Sequence, residues 1–216
     1  MLKAIGQTGL IAILRGIASA SICEVVEVLQ SAGVHLVEVT LDTPDALTSI
    51  GKLARHFGGE LLVGAGTVLD PESAEAAIAG GARFVLAPTL SPAVIKSCRE
   101  KDVLAIPGVF TPGEIHLAQR AGADIVKIFP AGILGTWYIK KMRRLFPDLH
   151  ILAVGGIDLD NGAAFIRAGA LGLGIGSQLA APEMAEPKYK RQLRARAADY
   201  LSVIRSARQT GEGSTP

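Results

Sequence analysis

Ala121-Gly122-Ala123-Asp124-Ile125-Val126-Lys127-Ile128-Phe129-Pro130 contains a joint and a strand. Gly122 follows a stretch of helical spacing at the offset where glycine ends helices. Ile125 to Phe129 is then apolar on both faces apart from Lys127, the pattern of a parallel strand covered by helices on each side. The same joint recurs outward from there, at Ala32-Gly33-Val34, Gly81-Ala82 and Ala168-Gly169-Ala170. Eight short runs of strand character are spread along the chain: Leu10 to Leu14, Leu36 to Thr40, Leu61 to Gly64, Phe84 to Leu86, Val103 to Ile106, Ile125 to Phe129, Ile151 to Val154 and Leu171 to Ile175. The segments between them read as helices. Ser21 to Gln30 carries Ile22, Val25, Val26 and Leu29 at helical spacing, and Pro44, Pro71, Pro92 and Pro112 fall near helix starts, where a missing N–H is harmless. Strands alternating with helices predict βαβ units and a parallel sheet. Eight such units predict a TIM-type (β/α)8 barrel, an α/β fold in a single domain over residues 1–208. Residues 209–216, rich in Gly, Ser and Thr, are expected to form a disordered tail. A doubly wound open sheet is the rival, but it calls for a glycine-rich phosphate turn after the first strand, where this chain has Arg15-Gly16.

Composition narrows the function classes. Among 216 residues, 49% are hydrophobic and 19% charged, so the chain can bury a substantial core. The formal net charge of +2 gives no case for nucleic acid as a partner. The basic stretch from Lys188 to Arg196 has helical spacing and reads as a solvated face. No apolar run is long enough to span a membrane, and no secretory leader is evident, so a cytoplasmic location is expected. Cys23 and Cys98 lie far apart without metal-type spacing and read as free thiols. His35, His56, His116 and His150 form no paired ligand motif, so no metal is expected.

In a β/α barrel, function sits at the C-terminal ends of the strands, and charges inside apolar strands single themselves out. Arg15, Glu38 and Lys127 are the three. Lys127 shares a strand face with Ile125 and Phe129. An apolar setting disfavours its ammonium form, and a neutral amine is what attack on a carbonyl needs. Glu38 sits with Leu36 and Thr40 and is suited to general acid/base work. A buried ion pair between Lys127 and Glu38, or between Glu38 and Arg15, is the structural alternative. Arg15 suits carboxylate recognition through paired hydrogen bonds, or is simply a surface arginine at a strand end. Gly155-Gly156 and Gly176-Ser177 follow the seventh and eighth strands, where backbone N–H groups commonly bind phosphate; turn geometry alone is the alternative. Trp137 and Tyr138 read as core, substrate-loop or subunit-contact residues, with core or subunit contact the preferred reading.

These residues resemble those of the 2-keto-3-deoxy-6-phosphogluconate (KDPG) / 4-hydroxy-2-oxoglutarate (KHG) aldolase family. The likeness runs through Ile13-Leu14-Arg15-Gly16, Glu38-Val39-Thr40-Leu41, Val63 to Leu69, Ile106-Pro107-Gly108, Lys127 to Ala131 and Val154 to Ile157. It implies a class I aldolase in which Lys127 forms the Schiff base and Glu38 is the acid/base. It further implies that Thr67, Pro88 and Phe129 line a pyruvate pocket and that Arg15 helps hold the substrate carboxylate. Gly155, Gly156, Gly176 and Ser177 would bind phosphate. A homotrimer and no cofactor are implied as well. The chain departs from the phosphogluconate branch at Asp42 (arginine there), Ala87 (serine), Gly132 (glutamate) and Val154 (threonine), and several stretches look closer to the phosphogalactonate (KDPGal) branch. Rival readings are a phosphate-binding barrel isomerase or synthase without a covalent intermediate, and a non-catalytic phosphosugar-binding barrel.

Overall fold

A computed structural model describes residues 1–211. Nine strand segments form one wholly parallel sheet: β1 (Leu10–Leu14), β2 (Leu36–Thr40), β3 (Leu62–Gly66), β4 (Phe84–Leu86), β5 (Leu104–Ile106), β6 (Gly108–Val109), β7 (Ile125–Ile128), β8 (His150–Val154) and β9 (Gly172–Ile175). Eight strands are expected from the sequence. The ninth is β6, which lies beyond the fifth expected strand (Val103 to Ile106): Pro107 has no N–H to give the ladder and interrupts the pairing, and Gly108–Val109 resume it on the other side. The sheet order runs from β5, through β4 to β1 and β9 to β7, and ends at β6. Its two ends are therefore consecutive pieces of one strand, and the sheet closes into the expected barrel.

Helix α1 (Leu2–Thr8) precedes β1; α2 (Ile22–Ser31), α3 (Ala46–Phe57), α4 (Pro71–Ala79), α5 (Pro92–Glu100), α6 (Pro112–Arg120), α7 (Ala131–Leu145) and α8 (Gly162–Arg167) lie between strands; α9 (Ser177–Ala180) and α10 (Lys190–Gly211) follow β9. Pro71, Pro92 and Pro112 open α4, α5 and α6 behind Asp70, Ser91 and Thr111, whose side chains accept from backbone N–H groups of the first turn. The joint is a Schellman motif. At Gly33 the N–H donates to Gln30 O and the next N–H, of Val34, reaches back to Leu29 O; Gly81, Gly122 and Gly169 repeat it, all at positive φ. The motif occurs a fifth time at Asp102 (φ 55°), where Val103 N–H reaches Cys98 O. With aspartate in place of glycine, this joint is not visible in the glycine pattern of the sequence. Helix α10 runs to Gly211, so residues 209–211 of the expected tail are helical, and 212–216 lie outside the described residues. No described helix is long and apolar enough to cross a membrane.

Two cores result. The larger lies between barrel and helices. The smaller fills the barrel with Ile11, Ile13, Leu36, Phe84, Leu86, Ile106, Ile125, Leu152 and Val154, closed below by Ile5 of α1. Space inside the barrel is allocated by glycine. A Cβ at Gly64 would overlap the Phe84 ring, and one at Gly66 would overlap the Glu38 carboxylate. Strand β3 thus gives up two side chains so that a large ring and a carboxylate can occupy the centre.

Candidate active site

At the C-terminal ends of the strands lies a cavity of about 680 Å³. All ten residues singled out in the sequence line it: Arg15, Glu38, Thr67, Pro88, Lys127, Phe129, Gly155, Gly156, Gly176 and Ser177. Ile13, Val154, Ile157, Gly174, Gln178 and Pro182 also line it and were not assigned roles beforehand.

Lys127 comes from β7, with its backbone N–H bonded to Pro107 O at 2.8 Å, so the break that closes the barrel also fixes this residue. Its side chain is 6% exposed, and Glu38 is 1% exposed. Burial pulls the Lys127 ammonium below its usual range; Glu38 opposes that shift and Arg15 adds to it. Burial likewise pushes the Glu38 carboxyl above its usual range, against the pull of Lys127 and Arg15. The two groups feel each other's charge without pairing. The ion pairs among the described residues do not join Glu38 to Lys127 or to Arg15, and Glu38 Oε2 is buried without a hydrogen-bond partner. A buried carboxylate oxygen without a donor is costly in a finished structure and useful in a site that awaits a hydroxyl or a water. Lys127 Nζ also sits 4.6 Å from the centroid of the Phe129 ring.

The rim is polar. Arg15, half exposed, pairs with Asp42 and donates from Nη2 to Thr67 Oγ1 at 3.0 Å. Thr67 adopts φ 59°, a left-handed conformation that a β-branched residue holds only under constraint from its surroundings. Opposite, Gly155 (φ 85°) and Gly156 (φ 73°) turn the chain away from β8. The hydrogen bonds among the described residues include none donated by the N–H groups of Gly155, Gly156, Gly176 or Ser177. Four unengaged N–H groups at one end of a cavity are suited to an anion.

Trp137 is not a core residue: it is 69% exposed, just past the break in α7 at Gly135. Tyr138 is half-buried and donates to Phe110 O at 2.7 Å.

The sequence profile for KDPG and KHG aldolases matches residues 3–194. The chain belongs to this family. A probable 2-dehydro-3-deoxy-6-phosphogalactonate aldolase of Rhizobium meliloti (strain 1021) is 37% identical over 195 residues, 90% of this chain and 92% of that one. A solved native KDPGal structure superposes with a TM-score of 0.87 at 34% identity, covering 93% of this chain and 96% of that one. The KDPG aldolase of Legionella pneumophila, solved with pyruvate captured as a covalent carbinolamine, gives a TM-score of 0.85 at 25% identity over 92% of this chain and 97% of that one. The four positions at which the sequence departs from the phosphogluconate branch lie as follows. Val154 faces the cavity and fills the space left by Gly174, where a Cβ would stand 2.8 Å from its Cγ2. Asp42 stands at the rim on Arg15. Gly132 packs against the Gly156 backbone. Ala87 is buried beside Pro88.

Proposed function

We propose that the chain is a class I aldolase that cleaves a 6-phosphorylated 2-dehydro-3-deoxy sugar acid into pyruvate and glyceraldehyde 3-phosphate, with Lys127 as the Schiff-base residue. One observation carries this reading: Lys127 is the only lysine among the residues lining the cavity, and its burial there disfavours the ammonium form. A carbinolamine of the kind captured in the Legionella relative requires an amine at such a place.

In this reading the neutral Lys127 amine attacks the C2 carbonyl, and loss of water gives a protonated imine. Glu38, directly or through a water, takes the proton of the C4 hydroxyl. The C3–C4 bond breaks and its electron pair enters the iminium to form an enamine. The aldehyde leaves, the enamine is protonated at C3, and water releases pyruvate and restores the amine. Arg15 and Thr67 hold the carboxylate, Pro88 and Phe129 bound the three-carbon end, and Gly155, Gly156, Gly176 and Ser177 take the phosphate. We further propose that the phosphogalactonate epimer is preferred. Val154 offers no hydrogen-bonding group to the cavity, and the Rhizobium relative is named for that substrate. A homotrimer working in the cytoplasm completes the reading. Both cysteines are free, and burial pushes the Cys98 thiol up to about 11, which keeps it inert.

The test is borohydride reduction in the presence of pyruvate, followed by mass analysis of the peptide bearing Lys127. A reduced pyruvyl adduct there, absent in Lys127→Ala, is expected. An unmodified peptide would sink the covalent reading and leave the non-covalent isomerase or synthase. Pyruvate release, coupled to lactate dehydrogenase with both epimers in parallel, then assigns the substrate by the ratio of kcat/KM.

A further inference from the structure

The two glycines at the end of β8 do not hold their shape alone. Gly155 O accepts from Gly132 N–H at 2.8 Å, and Gly156 O accepts from Asn161 Nδ2 at 2.9 Å. The same Asn161 side chain accepts from Asp158 N–H through Oδ1 at 3.1 Å, which fixes which way its amide faces. Asp158 Oδ1 in turn accepts from the N–H groups of Asp160 and Asn161. In a trans peptide the carbonyl and the following N–H point in opposite directions. Tying back Gly155 O therefore turns the Gly156 N–H the other way, and tying back Gly156 O does the same for the Ile157 N–H. Gly156 and Ile157 line the cavity, whereas Gly132 and Asn161 do not. The carbonyls are anchored outside and the donors face in.

We propose that Asn161 is a positioning residue for the anionic end of the substrate: its side-chain amide, together with the Gly132 N–H, keeps two carbonyl oxygens out of the cavity so that the N–H groups of Gly156 and Ile157 face the phosphate. This rests on the phosphate-binding reading above. Gly132 contributes by its size as well, since a Cβ there would stand 2.8 Å from Gly156 O and push on the anchored peptide. Without the Asn161 donor, the Gly156–Ile157 peptide is free to rotate. A carbonyl oxygen turned inward would repel the anion that the N–H attracts.

The experiment uses Asn161→Ala and Asn161→Ser in the full chain. Serine retains an acceptor for the Asp158 N–H, so the turn keeps its closure, but is too short to reach Gly156 O. Two quantities are measured: the Kd of inorganic phosphate by calorimetry, and the rate of borohydride trapping with pyruvate, which carries no phosphate. In both variants the phosphate Kd is expected to rise about tenfold, with KM for the phosphorylated substrate rising in step and the trapping rate staying at the wild-type value. A wild-type Kd in either folded variant overturns the proposal. So does a parallel loss of phosphate binding and trapping, which would make Asn161 a general structural residue. Absence of trapping in the unmutated protein would instead overturn the aldolase reading, and the phosphate Kd would still decide the role of Asn161.

Discussion

At the scale of single residues, the site is built from charges that the fold does not stabilise. Lys127 and Glu38 are each shifted toward their neutral forms by burial. A lysine whose folded pKa lies below its unfolded value of 10.5 destabilises the fold fully below the folded pKa, and the penalty is relieved as pH rises toward 10.5. For a carboxyl raised above 4.5 the penalty is full above the folded pKa and is relieved as pH falls toward 4.5. Lys127→Met, which keeps the stem and removes the amine, is therefore expected to raise stability by about 1–2 kcal/mol, roughly 2–8 °C in Tm, while abolishing pyruvate trapping. A thermal scan that shows a loss of stability would mean that the ammonium is better accommodated than its burial implies. Asp42 makes the opposite kind of test. It cancels the Arg15 charge at the rim, so Asp42→Asn should lower the KM for the carboxylate-bearing substrate a few-fold, without changing the trapped residue; an exposed pair supports no larger effect. Lys127 and Glu38 were legible in the sequence because a charge in an apolar strand stands out. The Arg15–Asp42 pair was not, because it joins residues just beyond the ends of two strands whose approach depends on the β1–β2 pairing and its register.

Elements decide where those residues can go. Strand β3 carries two glycines, and the one at position 66 exists for the carboxylate on the adjacent strand: Gly66 is the register partner of Thr40, two residues from Glu38. Gly66→Ala places a methyl group on the carboxylate and should lower kcat by at least about tenfold with the far-ultraviolet spectrum unchanged, since the displaced group lies at the cavity rather than in a helix packing layer. Full activity in that variant would show that Glu38 has another position from which to work. The glycine stretch was visible beforehand only as part of a family resemblance; its physical reason needed the neighbouring strand. The helix-to-strand joints show the same division. Four were read from glycine, but the fifth, at Asp102, uses a residue that tolerates the left-handed conformation at a cost. Asp102→Gly is accordingly expected to stabilise the chain by about 0.5–1 kcal/mol in urea unfolding, with an unchanged m-value. The break at Pro107 had the reverse character: the proline was in plain view, yet only strand pairing shows that it separates the two ends of the sheet.

For the whole molecule, the alternation of strands and helices specifies a parallel sheet covered on both faces, and the absence of a glycine-rich turn at Arg15-Gly16 separates the closed barrel from a doubly wound sheet. What that periodicity does not encode is how the finished surface is used. Helix α7 exposes Ile133 (79%) and Trp137 (69%) beside the polar rim, and Phe110, tied to α7 through the Tyr138 hydroxyl, is also exposed. Large apolar side chains exposed on adjoining segments are the ordinary sign of a surface that another chain covers. Under the proposed trimeric assembly, Trp137 lies at the subunit contact. It is the only tryptophan in the chain, so it reports on that contact directly. Sedimentation equilibrium is expected to give three times the chain mass, with an indole emission shifted to the blue of free tryptophan and slow acrylamide quenching. Trp137→Glu would bury a carboxylate in an apolar contact and should dissociate the assembly, while the barrel itself unfolds as before because residue 137 packs against none of its core. A trimer that survives Trp137→Glu would move the contact to another face. A monomeric unmutated protein with red-shifted emission would remove the assembly and leave the α7 surface exposed in solution.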